Sequence, residues 1–271
     1  MKRDYSINPI LNSVRQRLWR LNKNWIAAFV GDPGSGKSWA SIDVADYIES
    51  GKFSIDRVFF TVKDLLEAID NGEIKKGMVV ILDESGIAWR GRRFMSGENI
   101  DMSDLFQIMR YMNFALIMTV PTLDMIDKHG RSLCNMIFTT KGIDREEELT
   151  ICGVLHISHN RITGKQYPKF PRIMKDGSRV KADIMKIRKP RAELVKEYEK
   201  RKKAYGDNLV KEKRENAERR AAQREEKEEG NQENNKKKYT CKKCGHEGRS
   251  SRLKPRCGDC NSSIVVVDKS T

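Results

Sequence analysis

The segment "FVGDPGSGKS", residues 29–38, restricts the fold more than any other stretch of the chain. An apolar run enters a glycine-rich turn, and Lys37 and Ser38 leave it. Gly31, Gly34, Gly36, Lys37 and Ser38 fit the pattern GxxxxGK[ST]. In such a loop the glycines let backbone N–H groups converge on phosphates. The lysine brings a point charge to the β and γ phosphates, and the hydroxyl brings an oxygen to Mg²⁺. Residues Gly31, Asp32, Pro33, Gly34, Ser35, Gly36, Lys37 and Ser38 are therefore the expected grip on a nucleotide. An ordinary glycine turn is the competing reading. The context argues against it: an apolar strand precedes the turn, and Ala40, Val44 and Ile48 follow on one helix face.

A second apolar run, "MVVILDES", ends in Asp83 and Glu84. At the end of a buried strand Asp83 can hold the Mg²⁺ shell. Glu84 can orient or deprotonate the attacking water, which favours hydrolysis over transfer to another acceptor. A third buried run, "NFALIMTVPT", ends at Thr119. Two readings of Thr119 stay open here: a sensor of the γ-phosphate, or a strand-end residue that caps the next turn.

Around these motifs strand and helix signals alternate. Strands are expected at 25–30, 57–61, 78–83 and 115–120, and helices at 8–21, 37–50, 62–71 and 102–112. Gly51 and Gly72 sit where helix C-terminal glycines belong. The alternation points to an α/β fold with a parallel sheet covered on both faces. Further strands are expected in "MIFTT", "LTICGVLHIS" and "RITGKQY", with a hairpin turning at Asp176-Gly177. Residues 191–229 are rich in Ala, Glu, Lys and Arg with almost no apolar stripe, which reads as a solvated helix.

"GDPGSGKS", "VVILDES" and "ALIMTVPTLDMIDKHGRSL", in this order, resemble the HerA–FtsK superfamily of P-loop ATPases, and within it the zonula-occludens-toxin-like and viral DNA-packaging members. The resemblance covers roughly residues 22–140. It implies a RecA-like fold in which the Thr119 strand lies between the other two. It also implies a homo-oligomeric ring, often a hexamer, that moves DNA. Such rings complete a neighbour's site with an arginine. Arg110 and Arg131 are the candidates, each with a surface salt bridge as the competing reading, and the resemblance favours Arg131. The chain departs from many relatives in having Val120-Pro121 after the threonine. The loop "WRGRRF" offers Arg90, Arg92 and Arg93 to a DNA strand or simply to water.

The chain ends differently. Cys241, Cys244, Cys257 and Cys260 form C-x2-C-x12-C-x2-C, a spacing that wraps one tetrahedral Zn²⁺. A segment as short as 239–271 cannot build an adequate core alone, so a zinc ribbon would owe its folding to the metal. His246 is surplus to four thiolates. Cys134 and Cys152 are flanked by apolar residues and read as core packing.

Charge separates the two ends. The net charge of +15 divides into about −1 over residues 1–160 and about +16 over 161–271. A near-neutral globule thus carries a basic appendage, whose natural partner is a polyanion such as nucleic acid. Tyr167 and Phe170 are placed to stack on bases. No apolar run spans a bilayer and the start lacks a long apolar core, so a cytoplasmic protein is expected, in the host cytoplasm if the source is viral.

The expected organisation is a P-loop ATPase domain over 1–190, a charged helix and linker over 191–238 and a zinc ribbon over 239–271. All the phosphate-handling residues then lie upstream of 190, and hydrolysis should survive removal of 191–271. The leading function is an ATP-hydrolysing, Mg²⁺-dependent DNA translocase or packaging motor of viral or plasmid type. The alternative is an ATP-dependent assembly or adaptor switch of the zonula-occludens-toxin-like kind, binding nucleic acid or a viral assembly partner without processive motion.

Overall fold

The computed structural model describes residues 8–83, 107–109, 111–126, 128–160, 162–163, 165–234, 237–250, 256–263 and 265–267. Two compact units divide the chain, the first running to Lys202 and the second from Lys203 onward.

In the first unit an N-terminal helix, α1 (Pro9–Trp19), starts at Asn8, whose side chain accepts from the N–H groups of Ile10 and Leu11. Pro9 takes the first helical position, where a missing N–H costs nothing. Ile10, Leu11, Val14 and Leu18 form the buried face. Strand β1 (Trp25–Val30) follows, then α2 (Lys37–Ile48), a short 3-10 turn at Ile55–Arg57, β2 (Val58–Phe59), α3 (Val62–Asp70), β3 (Val79–Leu82) and β4 (Ala115–Val120). Residues 107–109 and 111–112 are helical, within the helix expected over 102–112. After β4 come a 3-10 turn at Leu123–Met125, α4 (Lys128–Leu133), β5 (Met136–Asp144) and β6 (Leu149–His159).

The fold is α/β and RecA-like in its strand order. β1 pairs with β4 and β5, β4 with β3, and β3 with β2, all in parallel. The Thr119 strand therefore lies between the P-loop strand and the Asp83 strand. These strands are near-continuous apolar runs because both faces of the sheet are covered. Ile26, Ala28, Val80, Leu82, Leu116 and Met118 point to one face, where they meet Val62 and Leu65 of α3 and Met109. On the opposite face Phe29 stacks on Phe138 with ring centres 4.5 Å apart.

The sheet is not wholly parallel. β6 runs antiparallel to β5, and β7 (Gln166–Lys169) and β10 (Ile184–Arg188) run antiparallel to β6. The turn through Glu148, at φ +51°, connects β5 to β6 directly and makes this antiparallel extension possible. "RITGKQY" accordingly contributes a strand only from Gln166. The expected hairpin is present as β8 (Arg172–Lys175) and β9 (Ser178–Lys181), with Asp176 and Gly177 both at positive φ as a type I′ turn requires.

The last helix, α5 (Ala192–Asn234), begins in the first unit. Its opening turns are not a solvated helix. Arg191, Leu194, Tyr198 and Arg201 recur at helical spacing and hold the segment to the unit. Leu194 and Tyr198 are 4% and 2% exposed. Arg191 pairs with the buried Asp46 at 2.9 Å, and Arg201 donates to the Ile55 carbonyl. The compact unit thus extends past residue 190. The second unit holds an antiparallel sheet of β11 (Lys237–Cys241), β12 (Glu247–Ser250) and β13 (Val265–Val267), in the order β12-β11-β13.

Candidate functional site

The P-loop is braced from the sheet side by a residue with no motif to announce it. The Thr140 hydroxyl donates to the Val30 carbonyl at 3.1 Å and lies 2.6 Å from Ser35 Oγ. Gly31, at φ +153°, packs directly on Thr140, and a Cβ there would overlap the threonine hydroxyl. The Gly31 N–H is held by the Pro121 carbonyl at 3.2 Å. Gly36, at φ +92°, forms the N-cap of α2 and offers no side chain to its first N–H groups. The first N–H groups of α2 and the helix dipole favour an anion. Lys37 arcs back over the loop and donates to the carbonyls of Gly31 and Asp32, each at 2.8 Å.

Two strand ends and the start of α2 converge beside the loop. Ser38 Oγ donates to Asp83 Oδ1 at 2.9 Å and lies 3.2 Å from Oδ2. Thr119 Oγ1 donates to the same Oδ1 at 2.6 Å. Asp83 and Thr119 are 0% and 1% exposed, so their contact is dry. A buried carboxylate needs such donors, because an unsolvated charge is costly. Ser38 and Asp83 form a hard oxygen pair at the foot of an anion-binding loop, and this donor set suits Mg²⁺.

Sequence reasoning missed the fourth group. Tyr198, from the first turns of α5, donates its hydroxyl to Asp83 Oδ2 at 2.6 Å. Trp39 Nε1 donates to Glu199 Oε1 at 3.3 Å one position later. The signal was the 191, 194, 198, 201 spacing, hidden among charged residues. A cavity of about 510 Å³ opens over the loop, lined by Gly34, Lys37, Ser38, Trp39, Thr119, Tyr198 and Lys202 among others. Its volume is in the range of small-ligand sites.

The structure brings Gly31, Asp32, Pro33, Gly34, Ser35, Gly36, Lys37, Ser38, Asp83 and Thr119 into one region. Thr119 directs its hydroxyl at Asp83. Arg131 sits in α4 and is not among the residues that line this cavity. Its charge helps hold the exposed Asp124 carboxyl below the usual range, after the larger effect of the Thr122 hydroxyl. Glu84, Arg110 and the "WRGRRF" loop lie outside the described residues.

The cysteines of the second unit gather as the spacing requires. Their four sulfurs lie within 4.8 Å of one another. Cys241 and Cys260 sulfurs are 3.7 Å apart, and those of Cys244 and Cys257 are 3.4 Å apart. Sulfurs bound at about 2.3 Å to one tetrahedral Zn²⁺ would stand about 3.8 Å apart. The cluster is thus compatible with zinc. The backbone N–H of Cys244 draws the Cys241 thiol down to about 7, and that of Cys260 lowers Cys257. Cys244 receives an N–H from His246, yet the facing thiols of Cys257 and Cys260 push it up to about 12. His246 turns aside to Asp259, 2.7 Å from its Nδ1. Burial pushes Cys134 and Cys152 up to about 12, as inert core thiols.

No protein-family model matches the sequence, and no curated protein aligns with it significantly. Among solved structures, the N-terminal domain of zonular occludens toxin from Neisseria meningitidis is similar at 17% identity. The match covers 54% of this chain and 94% of that one, with a TM-score of 0.34. The flagellar accessory protein FlaH from Methanocaldococcus jannaschii is similar at 15% identity, over 54% of this chain and 86% of that one, with a TM-score of 0.30. Among the described residues no helix is long and apolar enough to cross a membrane.

Proposed function

We propose that this chain is an ATP-hydrolysing motor of the HerA–FtsK kind that translocates or packages DNA. The observation that carries the reading is the meeting of Ser38, Asp83 and Thr119 beside a preformed P-loop. Lys37 exchanges its two carbonyl partners for phosphate oxygens when ATP enters. Ser38 and Asp83 would hold Mg²⁺, which when bound neutralises charge on the phosphates. Glu84, next to Asp83 in sequence, accepts a proton from the water that attacks the γ-phosphate. ADP and inorganic phosphate leave. Arg131 does not line its own chain's cavity, which suits a residue offered to a neighbour in a ring, and a hexamer satisfies that arrangement.

DNA is the polyanion that fits the basic segment. Lys165, Lys169, Arg172, Lys175, Arg179 and Lys181 fall in or next to β7, β8 and β9 along the chain. Tyr167 and Phe170 are 45% and 46% exposed among them. Backbone phosphates are bound by such cations and bases stack on such rings. The cysteine cluster holds one Zn²⁺ as a small ribbon, basic through Lys242, Lys243, Arg249 and Arg256, and docks DNA or an assembly partner.

The test is steady-state ATPase activity with and without double-stranded DNA. Turnover stimulated by DNA is expected. Tight ATP binding with negligible turnover in both conditions rejects the motor and points to the adaptor switch.

A further inference from the structure

The buried stripe of α5 does more than fasten a helix. Its central member, Tyr198, reaches the carboxylate on which the nucleotide site depends. Asp83 Oδ1 accepts from Ser38 at 2.9 Å and from Thr119 at 2.6 Å, and Oδ2 accepts from Tyr198 at 2.6 Å. An ionised carboxylate has about four acceptor positions. These short donors fix the plane of the group. A phenol donates to a carboxylate, so the contact holds the Asp83 side chain in one orientation. The same turns supply more of the cavity wall. Trp39, which follows Ser38, is tied to Glu199 at 3.3 Å. Lys202 lines the cavity with Gly34 and Lys37, its ammonium 5.6 Å from the Tyr198 ring centre.

We propose that the first turns of α5 form the second half of the nucleotide site, with Tyr198 positioning Asp83 for the metal's water shell and Lys202 meeting the nucleotide's phosphates. The inference rests on the reading of residues 31–38 as a triphosphate grip. Neither residue belongs to a recognised motif. Both come from a helix whose composition reads as solvent-exposed. Lys202 adds a second ammonium to the wall that Lys37 already lines. Tyr198 acts only through Asp83 and is a positioning residue.

The test is equilibrium binding of a fluorescent ATP analogue to the full chain, titrated with Mg²⁺ from nominally Mg²⁺-free buffer. Tyr198→Phe keeps the buried ring and removes the donor. Its affinity without Mg²⁺ should match the wild type. The Mg²⁺ concentration that gives half-maximal tightening should rise about tenfold to a hundredfold, as for loss of one charge-assisted hydrogen bond. Lys202→Gln should weaken binding about threefold to tenfold with or without Mg²⁺. A wild-type Mg²⁺ midpoint in Tyr198→Phe, or a lower one, overturns the role of Tyr198. Unchanged affinity in Lys202→Gln overturns that of Lys202. Lys37→Ala separates this inference from the one beneath it: if that variant binds the analogue normally, the grip itself is wrongly assigned. Should Tyr198→Phe fail to fold, wild-type protein carrying ring-¹³C tyrosine gives a second readout. The Tyr198 resonance should move when Mg²⁺ joins the bound analogue, and a resonance that stays fixed overturns the proposal.

Discussion

Thr119 Oγ1 donates to Asp83 Oδ1 at 2.6 Å between adjacent parallel strands, in a contact closed to solvent. A threonine in this position is therefore a support for the acidic residue beside it. Thr119→Val keeps the shape and leaves the carboxylate short of a donor. The expected cost is about 1–3 kcal/mol. Thermal unfolding should fall by several degrees, with ATP hydrolysis reduced in the same variant. A variant as stable as wild type that loses only hydrolysis would assign Thr119 to the phosphate instead.

Lys37→Ala should abolish ATP turnover, by on the order of 10²-fold or more. Its ammonium already bridges two carbonyls of the loop, and no backbone group can replace the charge. Because those two contacts are exposed or half-buried, the melting temperature should change little. Steady-state rates and a thermal melt on the same preparation check both parts.

Gly31→Ala should be destabilising where Gly34→Ala is tolerated sterically. The added methyl at Gly31 runs into Thr140, whereas nothing lies within 4 Å of the corresponding position at Gly34. Overpacking against backbone and a bonded hydroxyl costs about 1–3 kcal/mol. Gly34 still sits at φ +77°, so its variant carries backbone strain of about 1 kcal/mol and no collision. Denaturant melts of the two variants compare the effects.

Truncations at two points should behave differently. Removal of 203–271 leaves the stripe from Arg191 to Arg201 in place, and basal ATP hydrolysis should persist. Removal of 191–271 takes away Arg191, which pairs with buried Asp46, together with Leu194 and Tyr198, and should lose both stability and turnover. Survival with 191–271 removed, the expectation from sequence, would show that Tyr198 is dispensable. DNA binding by the shorter truncation should also show a shallower salt dependence than the full chain, since fewer phosphate contacts release fewer counterions.

Thiol chemistry gives an independent reading of the six cysteines. Cys134 and Cys152 should resist alkylation in native protein at pH 8, because burial keeps them protonated up to about 12. Cys241, Cys244, Cys257 and Cys260 should be protected by one bound Zn²⁺ and become reactive when a chelator removes it. Metal analysis on protein purified under reducing conditions should find one zinc per chain.

The parts of the site that sequence made legible are those whose chemistry needs a fixed local pattern. β1 and β4 follow the expected bounds because a buried parallel strand is an uninterrupted apolar run. The loop from Gly31 to Ser38 is legible because phosphate binding needs glycine at set positions. Thr140 was not, because its role comes from strand register and not from its neighbours in sequence. Tyr198 was hidden for another reason. Two of the four anchors in its stripe are arginines, so periodicity of apolar residues could not show the buried face. The antiparallel extension of the sheet was equally silent, since β5 and β6 read as strands whichever way they pair.

The Thr140 brace makes the nucleotide a judge of the sheet. A one-residue slip of β5 that puts Lys141 in its register position would turn Thr140 to the opposite face and leave no hydroxyl beside the loop. The loop would then lose its contact at Val30 and Ser35 together. A ligand that binds only the correctly paired chain stabilises that chain alone, in proportion to the logarithm of its concentration over its dissociation constant. ATP added during refolding should therefore raise the yield of chains with the right pairing, which gives the substrate a part in the chain's own maturation.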